Sequence, residues 1–208
     1  HHNHQSLLRR INAAMLLVAI TPEIITPHES ERIQRLIAEG FDFVHLRKPG
    51  LSDAEMIRLI ASLPGEIMPQ ITLGSHQHLA SIAFPGGVHH NSRYQERFPM
   101  QLLRYSISCH SLDELQKASC ENYDYAFLSP IFDSISKAGY QAAFEHKILA
   151  ETLPKTPIAT VALGGVTAQN LAQVKELGFK GAAFLGYLFG ANTDEEFSQR
   201  IKQIIKHK

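Results

Sequence analysis

Cysteine is scarce in this chain: Cys109 and Cys120 occur and no others, and no secretory signal is evident. A disulfide-built fold is thereby excluded, and a reducing, cytoplasmic setting is the expectation. Long apolar runs are also missing. The stretch Ala13–Ile20 falls far short of the roughly 20 residues a membrane helix needs. Nor is there a surplus of charge of either sign. The 20 Lys and Arg match the 20 Asp and Glu, so electrostatics gives no reason to expect nucleic acid or an anionic membrane as partner.

The opening stretch His1–Ala14 carries three of the twelve histidines, Arg9 and Arg10 and no acid. It is read as a purification-tag remnant outside the fold, ahead of a start at Met15. Setting its arginines aside leaves 18 basic against 20 acidic residues. The remainder, residues 15–208, is long enough for one domain with a full core and short for a (β/α)8 barrel.

Strand-length apolar runs alternate with helix-period segments throughout. Strands are expected at Leu16–Ile20, Phe43–Leu46, Ile71–Leu73, Gly87–His89, Leu103–Ser108, Tyr125–Leu128, Ile158–Leu163 and Gly181–Leu185. Helices are expected at Glu29–Glu39, after Ser52, at His76–Ala83, Leu112–Ala118, Phe144–Leu153, Thr167–Leu177 and Asp194–Lys206. Ser52 with Glu55, and Ser111 with Glu114, have the spacing of capping boxes. The helix after Ser52 should bury Met56, Ile57, Leu59, Ile60 and Leu63. Eight strands, each followed by a helical segment, predict a single-domain (β/α)8 TIM barrel with parallel pairing. An open doubly wound sheet is the alternative, and Asn91–Met100 is the least regular stretch.

Chemistry in such a barrel gathers at the C-terminal strand ends. There stand Arg47 and Lys48, Gly74-Ser75-His76, His89-His90, Ser108-Cys109-His110-Ser111, Ser129-Pro130 and Ser136-Lys137. Cations, hydroxyls and imidazoles dominate this rim and carboxylates are few, which suits an anionic substrate. Gly164-Gly165 and Gly186 close two successive strands, where a missing Cβ lets backbone N–H groups approach a phosphate. Close helix-to-strand packing would also explain that glycine pair, but two adjacent strand ends share the feature, which favours phosphate binding. Cys109 reads as a small buried hydrophobe rather than a reactive thiol. His76, His78, His89 and His90 lack the spacing of a preformed zinc pair, so no metal ligand is assigned.

Phe43-Val44-His45-Leu46-Arg47-Lys48, Ser106-Ile107-Ser108-Cys109-His110-Ser111, Ser129-Pro130-Ile131-Phe132 with Ser136-Lys137, and Ala162-Leu163-Gly164-Gly165-Val166 follow in order. In sequence and spacing these blocks resemble the thiamine-phosphate synthase/TenI family over about residues 16–189. The resemblance implies a (β/α)8 fold, a role in thiamine biosynthesis or salvage, and a small phosphorylated substrate. Synthases of the family join a pyrimidine pyrophosphate to thiazole phosphate, release pyrophosphate and use magnesium. TenI-like members tautomerise the thiazole phosphate with a histidine as acid and base. Carried over, the catalytic residues are His110, Arg47 and Lys137, and the substrate and phosphate contacts are Ser129, Ser136, Gly164, Gly165 and Gly186.

The chain departs from the synthase pattern at two metal positions. Gly74-Ser75-His76 stands where synthases carry Asn-Asp-Arg, and Asn91-Ser92-Arg93-Tyr94 replaces a segment with a second aspartate. Pro49 takes the place of a second cation, for which Lys48 is the candidate substitute. The residues therefore lean toward metal-independent, TenI-like tautomerisation by His110. Synthase activity is the alternative, with magnesium as cofactor only in that case. A silent binder of thiazole phosphate or thiamine phosphate is a third reading, and another phosphate-handling barrel is open on fold grounds alone. Whether the chain forms a homo-oligomer is open.

Overall fold

Strand-length runs whose successive residues point to opposite faces suit a sheet that is covered on both sides. The structure is a computed structural model and describes residues 14–132 and 144–208. Nearly all of the stretch read as a tag, and the positions of Ser136 and Lys137, lie outside the described residues. Among the described residues, strands β1 (Leu16–Ile20), β2 (Phe43–Leu46), β3 (Ile71–Leu73), β4 (Gly87–His90), β5 (Arg104–Cys109), β6 (Tyr125–Leu128), β7 (Thr160–Ala162) and β8 (Gly181–Phe184) form a closed barrel. Each pairs in parallel with the next, and β8 returns to β1 with Leu16 opposite Gly181. The (β/α)8 expectation holds and the open doubly wound sheet is excluded.

The helices are α1 (Glu29–Glu39), α2 (Asp53–Ala61), α3 (Ala80–Ala83), α4 (Leu112–Ser119), α5 (His146–Thr152), α6 (Leu171–Glu176), α7 (Gly186–Phe189) and α8 (Asp194–Lys206). Several differ from expectation. β4 is followed by no helix: residues 91–103 run irregularly into β5. The region of Thr167–Leu177 splits into a 3-10 turn, Ala168–Asn170, and α6. Pro154 sits inside a 3-10 turn, Leu153–Lys155, after α5. An unexpected 3-10 segment, Gly65–Gln70, precedes β3, and α7 is a further short helix.

In α2, Met56, Leu59 and Ile60 are buried but Ile57 is 42% exposed. Met56, Leu59, Ile60 and Leu63 follow the i, i+3, i+4, i+7 stripe, and Ile57 lies about 100° off it. Ser52 makes the full capping box with Glu55. Ser111 caps α4 by accepting from the Glu114 N–H. The Glu114 carboxylate, however, reaches one residue too far for a box and accepts from the His110 N–H at 2.6 Å.

The core has two parts. Leu16, Val18, Ile20, Phe43, Tyr125, Phe127, Val161 and Ala183 fill the barrel interior. Leu17, Ala19, Val44, Leu46, Val88, Leu128, Ala162 and Phe184 face the helices instead. Side chains of neighbouring residues thus go to opposite sides of the sheet, as the two-residue strand period requires. Among the described residues no helix is long and apolar enough to cross a membrane.

Close backbone approach sets one limit on the sequence. A Cβ on Gly86 would lie 1.9 Å from the Pro69 carbonyl oxygen, whereas one on Gly65 would meet nothing within 4 Å. Gly86→Ala should force backbone movement and cost about 1–3 kcal/mol, lowering Tm by several degrees, while Gly65→Ala leaves Tm nearly unchanged. Thermal unfolding followed by circular dichroism checks both.

Candidate active site

Strand parity decides which rim residues face the barrel mouth. In β2 the inward row is Phe43 and His45, and Arg47 continues it past the strand end. In β5 it is Ser106 and Ser108, continued by His110; in β6 it is Tyr125 and Phe127, continued by Ser129. Rings mark this interior: His45 lies 5.0 Å from His89 and 4.9 Å from Phe127, centroid to centroid. Arg47, Ser108, His110 and Ser129 therefore stand on one rim, above a floor made by His45, His89 and Phe127.

The floor is polar but uncharged. His89 contacts Ser106 Oγ through Nδ1 at 2.7 Å and Ser108 Oγ through Nε2 at 2.6 Å. Burial, reinforced by His90 and Arg47, pushes its pKa down to about 3. His45 reaches the Tyr125 hydroxyl at 2.5 Å, and burial holds it well below the usual histidine range. Burial likewise raises the Tyr125 hydroxyl to about 12. Burial disfavours the charged imidazole, and the neighbouring Arg47 and Arg104 disfavour it further. The sequence reading missed His89 and Ser108 as a linked pair; their shared inward parity was the available signal.

His110 is exposed at the rim. Its backbone N–H is anchored by Glu114, and ring Nδ1 lies 3.3 Å from both the carbonyl oxygen and Oγ of Ser129. The carbonyl can only accept and the hydroxyl can accept or donate, so a ring protonated on Nδ1 serves both contacts, and in that form Nε2 carries a lone pair. Such an imidazole can take up a proton. Arg47 donates through its guanidinium to Glu23 at 2.7 Å, and its backbone N–H donates to Thr21 Oγ1. About half of its side chain is exposed, and its charge reaches His89.

Lys48 does not substitute for the missing second cation. It has the opposite parity, is fully buried, and donates through Nζ to Glu29 Oε1 at 2.6 Å and to the Ile24 carbonyl. Cys109 is buried, and its thiol is pushed up to about 12 by burial, which fits a packing role.

Gly164 and Gly165 adopt φ of +99° and +67°. A Cβ on Gly164 would lie 2.8 Å from Pro130 Cα, and one on Gly165 would lie 3.0 Å from Phe132 Cβ. The Ile131 and Phe132 N–H groups donate to the Leu163 and Gly164 carbonyls. Close packing of the β6 and β7 ends thus accounts for part of this glycine pair's requirement. Gly186 differs: nothing lies within 4 Å of where its Cβ would be.

Among the described residues, no set of side chains fits a resident magnesium ion, which prefers carboxylate oxygens. Ser75 accepts the Lys48 N–H at 2.8 Å and bonds His76 Nδ1 at 2.9 Å, while His76 Nε2 reaches the Leu51 carbonyl. Asn91 Oδ1 accepts from the Arg93 and Tyr94 N–H groups. The nearby carboxylates are occupied: Glu23 by Arg47, Asp53 by His78, and Glu114 by the His110 N–H. His90 faces away from His89, bonding Tyr123 Oη and the Glu96 carbonyl. Among the described residues no group of three or more His, Cys, Asp or Glu is placed to hold a metal.

A neutral buried His89 has a signature in acid. The unfolded chain takes up its proton near pH 6.5, the folded chain only near pH 3. Its contribution to stability is complete above about pH 6.5 and is lost as pH falls toward 3. His89→Gln should therefore make the fall of unfolding free energy between pH 6 and pH 4 shallower by up to about one proton. Denaturant unfolding across that range tests it, and an unchanged slope contradicts a buried neutral imidazole.

Comparison with known proteins bears on this geometry. The family model described as thiamine monophosphate synthase matches residues 100–188. A protein named thiamine-phosphate synthase from Syntrophomonas wolfei is 24% identical over 93% of this chain and 98% of its own length. A crystal structure of thiamine phosphate pyrophosphorylase from Bacteroides thetaiotaomicron superposes with a TM-score of 0.80 at 28% identity, covering 93% of this chain and 97% of that one. The Pyrococcus furiosus thiamine phosphate pyrophosphorylase has the same fold, with a TM-score of 0.76 at 20% identity over 96% of each chain. Matches across nearly the whole chain, joined to Arg47, Ser108, His110 and Ser129 on their strand ends, make this chain similar to the thiamine-phosphate synthases in sequence and in its (β/α)8-barrel fold.

Proposed function

We propose that this protein binds a thiazole phosphate at the barrel mouth and joins it to a pyrimidine pyrophosphate. The names of its full-length relatives favour this synthase reading over the tautomerase that the rim residues alone suggested. The observation that carries it is Arg47, the inward-parity cation at the end of β2, about half exposed and paired with Glu23. In the reaction the thiazole nitrogen forms a bond to the pyrimidine methylene carbon, whose C–O bond breaks, and the electron pair leaves with pyrophosphate. Arg47 is the residue for that leaving charge: a guanidinium can hold two phosphate oxygens at once. Lys137 and Ser136 are proposed to add contacts from their loop. Backbone N–H groups at Gly164, Gly165 and the open turn at Gly186 are the proposed thiazole phosphate cradle, with Ser129 beside it.

A second reading rests on His110. With Nδ1 donating to Ser129, Nε2 is free to remove a ring proton and return it elsewhere, which is tautomerisation without a metal.

Incubation with pyrimidine pyrophosphate, thiazole phosphate and magnesium should yield thiamine phosphate and pyrophosphate in equal amounts. Arg47→Ala should lower kcat/KM about 10- to 100-fold, the scale of losing a charge-assisted phosphate contact. Chelator-resistant exchange between thiazole phosphate tautomers, abolished in His110→Asn and with no thiamine phosphate formed, would replace the synthase by the tautomerase. Tight thiazole phosphate binding with neither turnover would identify a silent binder.

A further inference from the structure

We propose that Lys48 and Glu29 are positioning residues, a buried clasp that ties the β1–α1 loop to the end of β2 and so holds Arg47 toward the barrel mouth. The proposal rests on the reading of Arg47 as the anion-binding residue. Its basis is the way one short segment is held from three sides. The Arg47 N–H donates to Thr21 Oγ1 at the end of β1, and the Lys48 N–H donates to Ser75 Oγ beyond β3. From the helix side, Lys48 Nζ binds the Ile24 carbonyl and Glu29 Oε1 at 2.6 Å. Ile24 adjoins Glu23, and Glu23 holds the Arg47 guanidinium at 2.7 Å. One lysine therefore fixes the loop that in turn sets the resting place of the arginine.

Burial argues that this pair serves more than filling. Lys48 and Glu29 side chains are 0% and 1% exposed, and Glu29 Oε2 has no partner among the described residues. Desolvation dominates both groups, raising the Glu29 carboxyl and lowering the Lys48 ammonium. Apolar residues of similar shape would hold the same space without that penalty. What they could not do is grip the Ile24 carbonyl and direct the loop. The backbone supplies the coupling, since Arg47 and Lys48 are adjacent and their N–H groups are both fastened, to Thr21 and to Ser75.

Calorimetric binding of inorganic pyrophosphate tests the clasp without depending on turnover. Four proteins are compared: wild type, Arg47→Ala, the double variant Lys48→Met/Glu29→Leu, and the triple variant combining them. Thermal unfolding shows that each is folded. The double variant is expected to bind about tenfold more weakly than wild type, as is Arg47→Ala, and the triple variant no more weakly than Arg47→Ala alone. Glu29→Gln keeps an acceptor for Nζ and should bind within about twofold of wild type; it also serves if the apolar pair does not fold, a loss in this variant then overturning the proposal. Wild-type binding in the double variant, or an equal further loss in the Arg47→Ala background, overturns the positioning role while leaving Arg47 as the anion site. Unchanged binding in Arg47→Ala overturns both readings and marks the arginine assignment as the cause.

Discussion

The two-residue period of a strand in a closed parallel barrel is the constraint on which the rest of this structure depends. Each strand sends one residue toward the axis and the next toward the helices, and closure leaves no edge where that choice could be avoided. Arg47 and Lys48 show the consequence. They are neighbours of like charge, yet one stands at the mouth and the other is sealed beneath the β1–α1 loop. His89 and His90 divide in the same way, the first joining the floor and the second bracing the 91–103 loop through Tyr123 and Glu96. Serines 106 and 108 share a face because they are two apart, and so one imidazole can bridge them.

Burial then sorts the charges. The floor is rich in imidazole and hydroxyl, but desolvation keeps His45 and His89 neutral. Hydrogen bonds take the place of charge there: each ring is held by hydroxyl partners that accept or donate as its tautomer demands. The inward-parity cation at the β2 rim is Arg47, half exposed and paired with Glu23. The hydroxyl and imidazole at Ser75 and His76, like the Asn91 turn, are spent on fastening loops together.

Much of the fold was legible in the sequence because apolar runs and helix stripes carry their own period. Boundaries at β1, β2, β3, β6, α1 and α8 follow directly from Leu16–Ile20, Phe43–Leu46, Ile71–Leu73, Tyr125–Leu128, Glu29–Glu39 and Asp194–Lys206. The helix-free passage from β4 to β5 was marked by irregularity rather than by any positive signal. The break between the Ala168–Asn170 turn and α6 was not marked at all, since a 3-10 turn and an α-helix share nearly the same apolar spacing. Ile57 was misplaced because a hydrophobic residue at the margin of a stripe looks the same in sequence as one at its centre.

Of the site, the residue types were legible and their partners were not. By itself the sequence determined the alternating strands and helices, the carboxylate-poor rim and the glycines at the last strand ends, because these depend on local period and backbone freedom. Tertiary structure alone decided that Lys48 is buried with Glu29, that His89 joins Ser106 to Ser108, that His110 meets Ser129, and that Gly164 and Gly165 pack against Pro130 and Phe132. Those contacts bring together residues from different strands. Barrel closure sets their distances, and no local pattern in the chain encodes which side chains closure makes neighbours.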